Sequence, residues 1–318
     1  MVVLITGCQG LLGQKLLQYQ PNWAYTIGVD LHGPGTGFYR PDAYQCLDIT
    51  DREATRRLVE SGNVDWIINT AAFTNVDACE RDREACWRVN VEAVGFLAAA
   101  AKGIGARLLQ LSTDYVFDGS SGPYGEEDEP APLGVYGRSK LASERVLQDD
   151  GVEFLIVRTN VLYGHVPGVR PNFVHWVLDK LGSGAPFQVV SDQVGNPTLA
   201  DDLAVAIWTL VAAEARGVYH LGGPDFVDRR TFAQAVAEVF GFSAEAIGAI
   251  CTSELGQLAP RPLQSGLRWD KARKRFSIEM RGIRDGLTLM REHLGYDPLG
   301  TRRRTDANGT RAGSRIGC

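Results

Sequence analysis

The chain has 318 residues, 44% of them hydrophobic and 22% charged, and a net charge of −5. That describes an ordinary globular protein of one large domain or two, with ample core. The acidic body has no basic stripe to suit a nucleic acid. Its longest apolar run, 93–101, falls far short of the ~20 residues that cross a bilayer.

Cys8, Cys46, Cys79, Cys86, Cys251 and Cys318 lie scattered, with no CxxC pair. No metal site is expected, and the thiols read as reduced, in a cytoplasmic protein. The amino terminus has no basic region of the kind that opens a signal peptide.

Residues Met1 to Thr6 predict a short buried strand. Gly7-Cys8-Gln9-Gly10-Leu11-Leu12-Gly13 follows directly and opens an amphipathic helix. A GxxGxxG between strand and helix sits where a dinucleotide fingerprint belongs, although the spacing differs from GxGxxG. Gly7 would permit the tight turn, Gly10 the approach of a pyrophosphate, and Gly13 close packing of helix on strand. The helix amino terminus would offer free N–H groups to the phosphates.

A second strand, Tyr25 to Asp30, ends in a carboxylate with no Arg directly after it. Such a group accepts from ribose hydroxyls and repels a 2′-phosphate, so NADH is preferred and NADPH possible; the alternative is a loop-capping Asp. A third strand near Tyr44–Leu47 runs into Asp48 and Ile49, then a helix from about Asp51 to Glu60. Val64 to Asn69 is the fourth strand, followed by Thr70-Ala71-Ala72-Phe73-Thr74, where small residues would let a flat cofactor approach backbone. Two helical stretches, Val76–Cys86 and Val89–Lys102, come next. The second contains Asn90, either a helix-bending amide or part of a proton relay.

The stretch 107–140 carries the chemistry. Arg107 to Leu111 predicts a strand that places Thr113 at its carboxyl end. Tyr136 and Lys140, four apart on the next helix, share one face. A hydroxyl facing a Tyr and a Lys can polarise a carbonyl and deliver a proton to it. A free Tyr, with a pKa near ~10, is a poor acid or base at neutral pH. A Lys ammonium at ~4 Å and an effective dielectric of ~20 supplies on the order of 4 kcal/mol, about three pKa units, before burial pushes the other way.

Phe154 to Arg158 is a sixth strand. The alternation so far predicts an α/β fold, a doubly wound parallel sheet with its strand ends along one ligand-binding edge. Residues 1–165 would form this dinucleotide-binding domain, with 198–222 returning to it, and 166–298 a smaller substrate domain. In the second part, helices are expected at Asn172–Leu181, Asp201–Ala213, Arg229–Phe240 and Gly286–Leu294, with a loop over 192–198 and a strand at Val218–Leu221. Residues 299–318 hold five Arg against Asp306 alone and are expected to be a disordered basic tail, or else an arm for an anionic partner.

With Thr6-Gly7-x-x-Gly10-x-x-Gly13, Asn69-Thr70-Ala71-Ala72, Ser112-Thr113-Asp114-Tyr115-Val116-Phe117-Asp118-Gly119 and Tyr136-x-x-x-Lys140 in order, the chain resembles the extended short-chain dehydrogenase/reductases. Within them it is most similar to the dTDP-4-dehydrorhamnose reductases. Asp192-Gln193-x-Gly195-x-Pro197-Thr198 and Arg261-Pro262-Leu263-Gln264-Ser265-Gly266-Leu267 belong to the same likeness.

The resemblance implies reduction of the C4 keto group of a nucleotide-linked 6-deoxy sugar by NAD(P)H. Thr113, Tyr136 and Lys140 would be catalytic. Gly10, Leu11 and Leu12 would lie along the pyrophosphate, Asp30 at the adenosine ribose, and Asp48 and Ile49 at the adenine. Ala71, Ala72, Phe73 and Thr74 would border the cofactor. Asp114 and Tyr115 would touch the sugar, while Asn172, Gln193 and Arg261 are candidate anchors for the nucleotide diphosphate. Arg261 has the best chemistry for phosphate, its alternative being a surface ion pair.

Val161 departs from the pattern, since these reductases usually carry a Trp there. Similar dehydratases carry Thr-Asp-Glu, and Tyr115 stands in place of that Glu, so their base is missing. Another nucleotide-sugar epimerase or reductase, or a non-catalytic subunit like the regulatory subunit of methionine adenosyltransferase, stays open; so does a homodimer.

Overall fold

The computed structural model describes residues 1–33 and 39–296; the expected tail at 299–318 lies outside the described residues. Seven strands form one parallel sheet: β1 (Val2–Thr6), β2 (Tyr25–Asp30), β3 (Ala43–Cys46), β4 (Trp66–Asn69), β5 (Arg107–Thr113), β6 (Phe154–Thr159) and β7 (Gly217–His220). Their order is β3-β2-β1-β4-β5-β6-β7. The order reverses between β1 and β4, which opens a crevice at the carboxyl ends of these two strands. The register sets Thr6 beside Asn69 and Thr113 beside Thr159, so the strand ends line up on one edge.

Both faces are covered, which is why the strands read as continuous apolar runs. Helices α1 (Leu11–Gln18) and α8 (Ala200–Ala212) pack on one face around Leu16, Ile207 and Val211. On the other, α2 (Arg52–Ser61), α5 (Ala93–Ile104) and α6 (Val135–Asp150) bury Val59, Leu97 and Leu147. A fully buried ion pair, Lys15 Nζ to Asp201 Oδ1 at 2.8 Å, ties α1 to α8.

The region 76–104 differs from two simple helices. It divides into α3 (Val76–Arg81), α4 (Arg83–Trp87), one π-helical turn at Arg88–Glu92 and α5. Asp82 makes the break: its backbone leaves the helical region, and its side chain accepts from Ala85 N to start α4. The π turn holds Asn90.

Beyond β6, α7 (Phe173–Ser183), α9 (Arg229–Phe240) and α11 (Ile283–His293) enclose a second core of Phe232, Val236, Phe240 and Leu287. A parallel pair, Phe187–Val190 with Ile247–Ile250, backs it. A further helix, α10 (Asp270–Phe276), was not foreseen. The segment 192–198, expected to be a loop, contributes strand residues at Val194–Gly195 and Thr198, the latter pairing with Leu162.

Candidate active site

Gly7 takes the left-handed backbone (φ +66°), and a Cβ there would stand 2.8 Å from Ala71 N. A Cβ on Gly13 would come within 2.4 Å of the Gly7 carbonyl, so α1 could not close on the β1 turn. Gly10 caps α1 without a side chain, and no acidic residue occupies the helix's first turn. The result is a bare, electropositive helix start at the strand crossover, which suits a pyrophosphate.

Asp30 stands at the lip of this crevice. Its carboxylate accepts from Gln9 N and Leu31 N, each at 2.9 Å, which fixes its orientation. A cleft of about 760 Å³ runs from there, lined by Gly7, Gly10, Leu11, Leu12, Asp30, Asp48, Ile49, Ala71, Ala72 and Thr74. Thr70, Val89, Leu111, Leu162, Arg170 and Asn172 also line it and join the Rossmann edge to the second core.

Thr113 ends β5, and Tyr136 and Lys140 lie on the first turns of α6. Thr113 Oγ1 donates to Asp114 Oδ1 at 3.0 Å and accepts from Tyr115 N at 3.2 Å. Burial pushes the Tyr136 phenol above its ordinary value; the Asp114 charge adds to this, and a hydrogen bond with Thr113 opposes it. This reverses the expected lowering by Lys140. The physical reason is desolvation, which also brings the buried Lys140 down to about 8 against the pull of Glu144.

Asp114 is buried and pushed up to about 6 by desolvation, although Ser265 (2.5 Å) and Thr113 both donate to it. The Tyr115 ring meets Tyr136 edge-on, centroids 5.8 Å apart, and its phenol is also raised by burial.

Asn90 is buried and bonded to both the segment after β4 and α6. Its Oδ1 accepts from Phe73 N at 2.8 Å, while Nδ2 donates to Phe73 O at 3.1 Å and Ser139 Oγ at 3.0 Å. Ser139 in turn donates to the Tyr136 carbonyl at 2.8 Å. Asn90 therefore clamps the segment after β4 to the helix that carries Tyr136.

The expected diphosphate anchors are largely engaged elsewhere. Asn172 caps α7 through Val174 N and donates to Gly164 O, and the Gln193 amide bonds Thr252 and Gln257. Arg261 forms an ion pair with Asp77 at 3.1 Å and donates to Ala259 O, its own side chain largely covered and that of Asp77 31% exposed. Its charge still reaches Tyr115.

Three contributors were not legible beforehand. Ser265 arrives from the far end of the chain. Arg229, first residue of α9, sits 5.5 Å over the Phe173 ring, and its charge acts on both Asp114 and Tyr115. Gly137 lets α6 touch the Tyr115 carbonyl, from which a Cβ would be only 2.1 Å. Its place inside the Tyr-x-x-x-Lys spacing was the one signal available.

A doubly wound sheet, a glycine-rich crossover and a Tyr–Lys pair at one edge define a nicotinamide-dependent oxidoreductase of the extended short-chain type. The RmlD substrate binding domain model matches residues 1–295, and the chain belongs to that family. Among its relatives is the dTDP-4-dehydrorhamnose reductase of Mycobacterium tuberculosis, 39% identical over 69% of this chain and 73% of that one. A solved dTDP-4-dehydrorhamnose reductase from Bacillus anthracis in complex with NADP superposes with a TM-score of 0.83 at 29% identity, covering 92% of this chain and 99% of that one. The methionine adenosyltransferase 2 subunit beta of Pongo abelii is also similar, 31% identical over 82% of this chain and 79% of that protein.

Proposed function

We propose that this enzyme reduces the C4 keto group of a nucleotide-linked 6-deoxy sugar, with dTDP-4-dehydrorhamnose to dTDP-rhamnose as the favoured conversion. What supports this is the hydrogen bond between Tyr136 and Thr113, with Lys140 one turn further along the same helix, on the sheet edge that also carries the glycine-lined cleft, in a family with members named for that reaction. When bound, the reduced nicotinamide supplies hydride to the carbonyl carbon.

The residues do the rest. Tyr136 gives its proton to the oxygen as negative charge develops there, and Thr113 donates a hydrogen bond to the same atom. A phenol raised by burial holds its proton at neutral pH, as an acid must. Lys140, on the same helix face, supplies the cation that favours the phenolate left behind. Asp114 and Tyr115 border the sugar, while Arg229 and Arg261 offer positive charge to a diphosphate. Asp30, held by two backbone amides, faces the adenosine ribose and favours NADH, with NADPH still accepted.

A panel of dTDP-4-keto sugars with NADH, products identified by NMR, tests the reading. Sugar-dependent NADH oxidation is expected, and Tyr136→Phe should lower kcat by a factor of ~10² or more with cofactor binding nearly unchanged. Turnover undiminished in Tyr136→Phe would remove the assignment and bring forward a binding role like that of the methionine adenosyltransferase subunit.

A further inference from the structure

We infer that the buried Glu144–Arg158 pair is a positioning device for Lys140, holding a partly neutralised carboxylate one helical turn from that amine. The inference rests on the proposed role of Lys140. Lys140 and Glu144 are four apart on α6 and share a face. Arg158, on β6, grips Glu144 with both arms of its fork: Nε to Oε1 at 3.0 Å and Nη2 to Oε2 at 2.6 Å. Ser112 Oγ donates to Oε1 at 2.5 Å. The two charged side chains are only 5% and 1% exposed.

The guanidinium is itself held from three sides. It lies 5.2 Å over the Phe117 ring, and Nη1 reaches His220 Nε2 at 3.3 Å. Because Arg158 can only donate, Nε2 accepts, and the His220 proton sits on Nδ1, facing the Tyr124 carbonyl at 3.2 Å. His220 is thus neutral, in keeping with burial and the Arg158 charge bringing it down to about 3. The charged or titratable groups that act on Lys140 are Glu144 on its own helix and Cys86 on α4; those facing Glu144 are Ser112, Arg158 and Lys140.

A buried ion pair seldom stabilises a fold more than apolar residues of the same shape, so anchoring α6 to β6 does not by itself account for these charges. A requirement at Lys140 does. Burial drives that amine toward its neutral form, and the Glu144 charge opposes the loss. Arg158 keeps Glu144 pointed at β6, so the carboxylate supports the ammonium from a distance without drawing it into a direct ion pair away from Tyr136.

The two partners then have opposite effects, and a purely structural role would not produce opposite signs. Glu144→Gln should move the basic limb of kcat/KM down by about one pH unit, and Arg158→Met should move it up by a similar amount. The pH dependence of NADH binding, followed by fluorescence titration, should shift in the same two directions without any turnover. If either single variant fails to fold, the double variant Glu144→Gln/Arg158→Gln decides: its limb should fall, by less than one unit. Limbs that coincide with wild type, or that move the same way in both single variants, overturn the inference. A wild-type protein that reduces no 4-keto sugar removes the functional reading instead, and the NADH titrations still judge the pair.

Discussion

Val161 takes a left-handed backbone conformation (φ +44°) that a β-branched side chain rarely adopts, at a cost of roughly 1–3 kcal/mol. Its carbonyl accepts from Thr198 N at 3.2 Å, so the turn is locked to the second core, and its side chain packs there. Where relatives of this type carry a Trp, a sugar methyl would meet a large ring; Val covers less. At ~25 cal/mol per Å², roughly 60 Å² of lost apolar contact is about 1.5 kcal/mol, near tenfold in affinity. Val161→Trp should therefore lower KM for dTDP-4-dehydrorhamnose up to ~10-fold with kcat little changed. Abolished turnover would mean that the space is filled and that another sugar is the substrate. At Asp30, replacement by Ala should bring the Kd values of NADH and NADPH together; a ratio equal to wild type would show that the carboxylate does not read the ribose.

At the scale of elements, the catalytic geometry depends on how closely α6 approaches the segment after β5. Gly137 is the contact point, with the Tyr115 carbonyl on one side and Pro132 3.0 Å from a notional Cβ on the other. Gly137→Ala must displace that backbone. A fall in kcat of about tenfold or more is expected, with NADH affinity within about twofold and a stability loss of about 1–3 kcal/mol by urea titration. Normal kcat would show that the helix can recede without moving Tyr136. The Asn90 turn governs the other contact: Asn90→Ala leaves Phe73 N without its partner, while Phe73 O keeps Cys79 Sγ at 3.6 Å, and an unpaired amide away from water costs ~1–3 kcal/mol. Its effect should appear chiefly as a weaker NADH Kd. The alternation of elements and the Tyr-x-x-x-Lys spacing were legible because both are short-range patterns. The break at Asp82 was not, since an Asp within a charged stretch reads equally as a solvated face until its carboxylate is seen capping α4.

For the whole molecule, Lys140 links ionisation to both activity and stability. Its folded-state value, about 8, lies below the ordinary 10.5. Above pH 8 the ammonium is lost, so kcat/KM should fall through that region. Stability carries the opposite sign. Between pH 8 and 10.5 the unfolded chain binds a proton that the folded chain does not, so this group's penalty is full below pH 8 and relieved as pH rises. Activity and stability should thus diverge over this window; a basic limb that starts only above pH 10 would show that Lys140 remains charged throughout. The buried Lys15–Asp201 pair gives an independent structural test. Asp201 Oδ2 already has no partner among the described residues, so Lys15→Met would leave the carboxylate with Tyr19 as its remaining strong donor. Breaking such a pair costs about 3–5 kcal/mol, readable by urea denaturation with the cleft chemistry otherwise intact.

Glycine spacing, apolar runs and a four-residue Tyr–Lys interval act within one or two elements, where local sterics and hydrogen bonding decide the outcome. They were enough to specify a parallel doubly wound sheet and to point to a glycine-rich crossover and a pair of candidate hydroxyls at its edge. The setting of those hydroxyls was decided elsewhere. Ser265 reaches Asp114 across 151 positions, and Arg229 acts on it from α9. Arg261 is turned to Asp77, and β7 enters the sheet beside β6 only after the chain has left it to form α7 and the strand Phe187–Val190 of the second core. Charge and desolvation depend on every group within several ångströms, irrespective of chain distance. Only packing could therefore show that burial raises the Tyr136 phenol and lowers the Lys140 amine to about 8.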